Sequence, residues 1–94
     1  MAVLFVTYEL NRPGRDYNPI WDYLKKHAYC RGTEKKRLTS SWLLDTTKTA
    51  KQVRDEMRPL IDENDVLFVV KITKQWAANN YYCGTWLNDD SRNW

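Results

Sequence analysis

The carboxylate in the most suggestive position is Glu9, at the end of the first apolar segment. Residues 2–10 read Ala-Val-Leu-Phe-Val-Thr-Tyr-Glu-Leu, a run rich in β-branched and aromatic side chains that favours a strand. Both faces of this strand are apolar, which predicts a central place in its sheet. Glu9 then stands where the strand leaves the core, a common position for a functional carboxylate. We therefore treat Glu9 as the candidate catalytic residue.

A second set of candidate residues is basic. Residues 25–37 contain six Lys or Arg residues against one acid, Glu34. Such a stretch is either a solvated helix end and loop or a ridge that contacts phosphate groups. Under the second interpretation, the phosphate-binding side chains would be Arg12, Arg15, Lys35, Lys36 and Arg37.

Aromatic residues form the third candidate set. The chain has five Trp and six Tyr, many of them outside the regular apolar segments. One interpretation is that the aromatic residues near the C-terminus pack on a dimer, and the other is that they stack on unpaired bases or on a nucleotide. The stacking candidates are Tyr81, Tyr82 and Trp86.

Composition limits the classes of protein to which this chain can belong. Ninety-four residues predict one domain, and 15 basic against 12 acidic residues give a net charge of +3, which does not by itself require a nucleic acid. Cys30 and Cys83 lack the C-x-x-C spacing of a metal or redox motif, which favours free thiols and a cytoplasmic protein. The N-terminal apolar run is too short for a signal peptide or a membrane span, so we expect no membrane partner.

Six predicted elements would position these candidates. One amphipathic segment predicts a helix over 18–28. A second helix opens at Thr49 with a capping-box pattern to Gln52, and Pro59 should bend or end it. Strands are expected at 2–10, 34–38, 40–46 and 66–72.

The order strand, helix, strand, strand, helix, strand is typical of an α+β fold of the ferredoxin-like βαββαβ type. We expect residues 1–75 to form a four-stranded antiparallel sheet with both helices on one face. Residues 76–94 would form an aromatic C-terminal extension, with a candidate fifth strand at 80–86, packed on the same domain or on a dimer partner. The opposite, apolar sheet face would face water in a monomer, which predicts a homodimer with sheets packed face to face.

Three segments carry a resemblance to a known family. They are residues 6–17, VTYELNRPGRDY, residues 41–46, SWLLDT, and residues 65–72, DVLFVVKI. They resemble a small bacterial and phage family usually identified as SinR-like. That family is similar to the small CRISPR-associated adaptation endonuclease and to the VapD ribonuclease toxin. The resemblance covers about residues 3–75 of this chain.

The resemblance implies a ferredoxin-like homodimer. In the nuclease relatives an acidic residue closes the first strand, and the two copies meet across the two-fold axis and hold a divalent metal. Glu9 is the matching residue, so Mg²⁺ is the implied cofactor, and Ser40 and Ser41 match the position of a serine that would orient a phosphate. The relatives carry Asp where this chain has Glu9, so we expect weak or no catalysis.

Three functions follow as hypotheses. The favoured one is a homodimeric protein that binds nucleic acid or a nucleotide through the basic and aromatic residues. The second is a Mg²⁺-dependent endonuclease, acting on RNA or DNA, that uses paired Glu9 side chains. The third is a protein-interaction or regulatory module, antitoxin-like or of phage type, that docks a protein partner through its aromatic C-terminal extension.

Overall fold

An antiparallel sheet organises the computed structural model, which describes residues 2–11, 16–32, 40–92 and 94. Its four strands are β1 Ala2–Glu9, β2 Ala28–Cys30, β3 Ser41–Thr46 and β4 Val66–Ile72. Their spatial order is β2-β3-β1-β4, and every neighbouring pair is antiparallel. The chain is therefore α+β with a four-stranded antiparallel sheet, as predicted, and the doubly apolar β1 lies inside the sheet.

The first helix is shorter than predicted. Helix α1 spans Asn18–Leu24, and the chain turns there, because the amides of Lys26 and His27 donate to carbonyls at the end of the helix. The predicted helical continuation to 28 was wrong: Ala28 instead begins β2, which gains backbone hydrogen bonds by pairing with β3. The strand expected at 34–38 lies outside the described residues.

The second helix begins as the capping-box pattern predicts. Helix α2 spans Ala50–Met57. The Gln52 amide donates to Thr49 Oγ1 over 3.1 Å, and the Thr49 amide donates to Gln52 Oε1 over 2.8 Å. Pro59 lies in a 3₁₀ turn, Arg58–Leu60, that follows the helix directly. The prediction that Pro59 ends the regular helix is confirmed.

Both helices contribute to one core on one face of the sheet. Tyr8 is buried there, and its hydroxyl accepts hydrogen bonds from the indole N–H of Trp21 over 2.9 Å and of Trp42 over 3.2 Å. The aromatic polar groups of this core are thus satisfied internally. Its buried members are Leu4, Val6, Tyr8, Leu10, Ile20, Leu24, Trp42, Leu44, Val53 and Met57.

The C-terminal extension packs on the opposite face of its own sheet. Cys83 and Leu87 of the extension form a second core with Val3, Cys30 and Leu43 of the strands. This face was expected to face water in a monomer. That expectation was wrong for the part of the face next to β2 and β3, because the chain's own C-terminal extension covers it.

The candidate fifth strand is not a strand. Asn80 has a left-handed φ of 57°, and a single helical turn, α3, spans Gly84–Leu87. The extension crosses the face of the sheet instead of extending its edge. An ion pair from Arg92 to Asp45 on β3, at 3.5 Å, gives it a further attachment.

A disulfide joins Cys30 on β2 to Cys83 in the extension. Both residues are buried in the second core. The prediction of free thiols was wrong, because spacing in sequence says nothing about two cysteines that a chain reversal brings together. The argument from free thiols to a cytoplasmic location therefore no longer holds. In the described part of the chain, no helix has both the length and the apolar character needed to cross a membrane.

Candidate functional site

A wide open groove lies between the β2 edge of the sheet and the C-terminal extension. Its volume is about 1250 Å³. Lys25 and the segment from Tyr29 to Gly32 line one side. The other side is lined by residues of the extension: Trp76, Ala78, Asn80, Tyr81, Tyr82, Gly84, Thr85, Trp86, Asn88 and Asp89.

Tyr29 on β2 and Arg31 just after it line the first side, and both side chains contact Trp42, whereas Cys30 between them packs with the extension. Tyr29 is 39% exposed, and its ring lies 5.1 Å from the Trp42 ring at a tilted angle. The Arg31 guanidinium lies over the Trp21 ring at 4.3 Å and near the Trp42 ring at 5.0 Å. Cation–π contacts of this kind hold a guanidinium in place while leaving its N–H groups at the rim of the plane.

The positive charge of the groove comes from Arg31 and Lys25. Arg31 is half-buried, and no hydrogen bond or ion pair joins it to another residue of the described ranges. Lys25 is exposed just after α1. Two cations beside an accessible tyrosine ring can bind a ligand that carries both a negative charge and a planar ring.

The three predicted stacking residues lie together on the second side. Tyr82 is 49% exposed, so its ring is accessible. Tyr81 is half-buried, and burial raises the pKa of its hydroxyl. The Arg92 guanidinium lies 3.9 Å from the centre of the Trp86 ring and occupies one ring face. Tyr82 is therefore the best placed of the three for stacking on a ligand.

Asp89 is the acidic residue among those that line the groove. The backbone N–H of Ser91 donates to Asp89 Oδ1 over 2.8 Å. This bond, followed by one from the Ser91 side chain, lowers the pKa of the Asp89 carboxyl. The groove thus offers an ionised hydrogen-bond acceptor as well as two cations.

Glu9 lies in a different place. It is exposed at the end of β1 and lines a smaller cavity of about 370 Å³. Ser40, which has a left-handed φ of 60°, lines the same cavity with Thr7, Tyr8, Val66 and Phe68. Ser41 is buried, and its hydroxyl donates to Thr7 Oγ1 over 3.0 Å. The structure brings Glu9 and Ser40 together and separates both from the stacking residues.

A metal at Glu9 would need ligands from elsewhere. Among the described residues, no group of three or more His, Cys, Asp or Glu side chains is placed to hold an ion. The predicted site draws a second Glu9 from a second copy, so the Mg²⁺ site stays a prediction.

Of the basic residues in the stretch 25–37, the structure describes Lys25, Lys26 and Arg31. Arg12, Arg15, Lys35, Lys36 and Arg37 all lie outside the described residues. Sequence reasoning missed Tyr29 as a site residue and included Arg31 only as a member of the basic stretch 25–37. The available signal was their place on either side of a cysteine, within the basic stretch.

Comparison with known proteins leaves the site to be interpreted on its own geometry. Neither the protein-family models nor the solved structures include a match to this chain.

Proposed function

We propose that this protein binds nucleic acid or a nucleotide in the groove between β2 and the C-terminal extension. The observation that supports the proposal is that two cationic residues and two exposed tyrosines line one open groove. Arg31 and Lys25 provide the charge, and Tyr29 and Tyr82 provide the rings.

Each type of side chain has a distinct task in this proposal. An unpaired base stacked on an aromatic ring contributes about 1–3 kcal/mol, largely independent of sequence. Lys25 and Arg31 would neutralise phosphate and release counterions, which makes binding depend on salt. Asp89 would accept hydrogen bonds from base amino groups or ribose hydroxyls. Because stacking needs exposed base faces, single strands or nucleotides should bind better than duplexes.

We further propose a ferredoxin-like arrangement and a homodimer, related to the SinR-like family and through it to the CRISPR-associated and VapD nucleases. The strand order β2-β3-β1-β4, with antiparallel neighbours, is compatible with that arrangement. The exposed Val66 and Phe68 on β4 support a further contact surface. Catalysis would be weak or absent.

Fluorescence anisotropy with labelled single-stranded, double-stranded and mononucleotide probes tests the binding proposal. Tyr82→Ala should weaken single-strand binding by about 5- to 150-fold, which corresponds to about 1–3 kcal/mol. Tyr82→Phe keeps the ring and should bind like the wild type. Lys25→Ala should reduce the salt slope by about one.

The matched control is Lys51→Ala, which removes an exposed lysine from α2. It should leave affinity and salt slope unchanged. Absence of binding to every probe would contradict the proposal and favour a protein-interaction module. If Lys25→Ala and Lys51→Ala weaken binding equally, the oligonucleotide is attracted by the net charge of the protein and does not bind specifically in the groove.

A further inference from the structure

The Cys30–Cys83 disulfide joins the two sides of the groove. Cys30 lines the groove, and so do its sequence neighbours Tyr29 and Arg31. On the other side Tyr82, which directly precedes Cys83, lines the groove with its exposed ring. The covalent bond therefore lies one residue away from the side chains that the proposed function places on each side of the ligand.

The C-terminal extension depends on tertiary contacts for its position. In the described part of the chain, its backbone hydrogen bonds stay within the extension, and none of its residues belongs to the core that the two helices share with the sheet. Its one helical turn, α3, has four residues, too few to be stable alone in water. The disulfide, the Arg92–Asp45 ion pair and packing in the second core attach it to the sheet.

The sheet and both helices have a core of their own on the opposite face of the sheet. Its buried members come from residues 4–57, and none of them lies in the extension. Loosening of the extension should therefore be a local event that leaves the sheet and the helices folded.

We infer that the disulfide is a redox switch for the groove: the oxidised protein binds its ligand, and reduction by a dithiol weakens binding. The inference rests on the proposed function, because it adds a control to the same groove. A ligand that contacts Tyr82 on one side and Tyr29 with Arg31 on the other needs both sides held at a fixed distance. Without the bond, binding would have to order the extension, and that ordering costs free energy.

Thiol–disulfide exchange supplies the chemistry. A thiolate of the dithiol attacks Sγ of Cys30, the S–S bond breaks, and Cys83 leaves as a thiolate that takes up a proton. The second thiol of the dithiol, as its thiolate, then displaces Cys30 from the mixed disulfide, and Cys30 takes up a proton. The dithiol loses two electrons and two protons, and the protein gains them as two thiols.

The groove decides which sulfur is attacked. Cys30 lines the groove and is 6% exposed, whereas Cys83 is 0% exposed. A ligand in the groove covers this approach to Cys30. Because coupling between two equilibria is reciprocal, a ligand that favours the attached extension also favours the disulfide. Bound oligonucleotide should therefore slow reduction and shift its equilibrium toward the oxidised protein.

Fluorescence anisotropy of a labelled single-stranded oligonucleotide tests the switch with oxidised, reduced and reoxidised wild type. Reduction should weaken binding by about 5- to 150-fold, the loss expected for stacking on Tyr82, and reoxidation should restore binding. Tyr82→Ala should lose little more on reduction, because its extension no longer carries the stacking ring. The double variant with Cys30→Ala and Cys83→Ala is the matched control. It should bind like the reduced wild type, and dithiol should not change its affinity.

The other outcomes separate the switch from the proposed function. Absence of binding to the oxidised wild type overturns the proposed function and the switch with it. Equal binding by oxidised and reduced wild type overturns the switch alone. A dithiol effect of the same size in the double variant also overturns the switch, because that variant has no cysteine. A reduction rate that saturating oligonucleotide leaves unchanged overturns the attack on Cys30 through the groove.

Circular dichroism and tryptophan fluorescence show whether the change is local. Reduced wild type should keep the circular dichroism of the sheet and helices, while the emission of Trp76, Trp86 and Trp94 in the extension shifts. Loss of the circular dichroism signal on reduction would mean that the whole chain unfolds, which overturns a switch confined to the extension.

Discussion

The Cys30–Cys83 disulfide attaches the C-terminal extension to the sheet covalently and should contribute strongly to stability. In the described part of the extension the backbone hydrogen bonds are local, as in the bonds from the Leu87 amide to the Cys83 carbonyl and from the Asn88 amide to the Gly84 carbonyl. Its attachment to the sheet therefore relies on side-chain packing, the Arg92–Asp45 ion pair and the disulfide. The perturbation is the double substitution of both cysteines by Ala.

The expected magnitude follows from the length of the closed loop. The two cysteines are 53 residues apart. Closing a loop of this length removes enough entropy from the unfolded chain to stabilise the fold by about 4 kcal/mol. A chain of this size has a total unfolding free energy of about 5–14 kcal/mol. Loss of the disulfide should therefore remove a large fraction of the stability and lower Tm by roughly 16–32 °C.

Urea unfolding, followed by circular dichroism and tryptophan fluorescence, measures the effect. Trp76, Trp86 and Trp94 all lie in the extension and pack on the second core, so fluorescence reports its detachment. Wild type reduced with a dithiol is the matched control, because it breaks the same bond without removing side-chain atoms. A thiol titration of the unfolded protein before reduction should find no free thiol.

Two results would refute this reasoning. Free thiols in the unreduced wild type would show that the disulfide does not form. If the double variant and the reduced wild type both unfold within about 1 kcal/mol of the oxidised protein, the bond does not restrict the unfolded chain as the loop length requires.

Two further predictions concern carboxylates. Because Glu9 stands where the relatives carry Asp, we expect no tight metal site, so Mg²⁺ should not shift the melting temperature of the wild type or of Glu9→Gln. A Mg²⁺ stabilisation of the wild type that is lost in the variant would support the metal site instead. Lys48, followed by Tyr23, donates hydrogen bonds that lower the pKa of Glu56 from its ordinary 4.5, so the folded state favours the ionised carboxylate. At pH 6 the unfolding free energy of the wild type should exceed that of Glu56→Gln. The difference should disappear as the pH falls below about 4.5 and through the lower pKa of the folded state. Urea unfolding measures it, and Glu63→Gln, in the exposed turn, is the control variant. An advantage that persists at pH 2 would contradict the assignment.

The strands and the second helix could be predicted because their signals are local. β1 and β4 are continuous apolar runs, and β4 begins and ends where its composition changes, at Val66 and Ile72. Helix α2 has its capping box within four residues of sequence. In each case the local conformational preference of the sequence agrees with the secondary structure that forms in the packed fold.

The candidate site could not be predicted in the same way, because it depends on contacts between residues that are distant in sequence. β2 at Ala28–Cys30 is held by pairing with β3, which overrides the helical spacing up to Ala28. The extension has little periodicity, and its course over the sheet depends on a disulfide between residues 53 apart. The aromatic composition did indicate Tyr81, Tyr82 and Trp86, but not that Arg31 and Tyr29 lie across the groove from them.

The most direct test of ligand binding in the groove is an NMR titration of ¹⁵N-labelled protein with a short single-stranded oligonucleotide. The proposal predicts that amide shifts concentrate at residues 29–32 and 80–89, on the two sides of the groove, and weaken as salt rises. Shifts confined to β4 and the Glu9 cavity, or no shifts at saturating oligonucleotide, would contradict it.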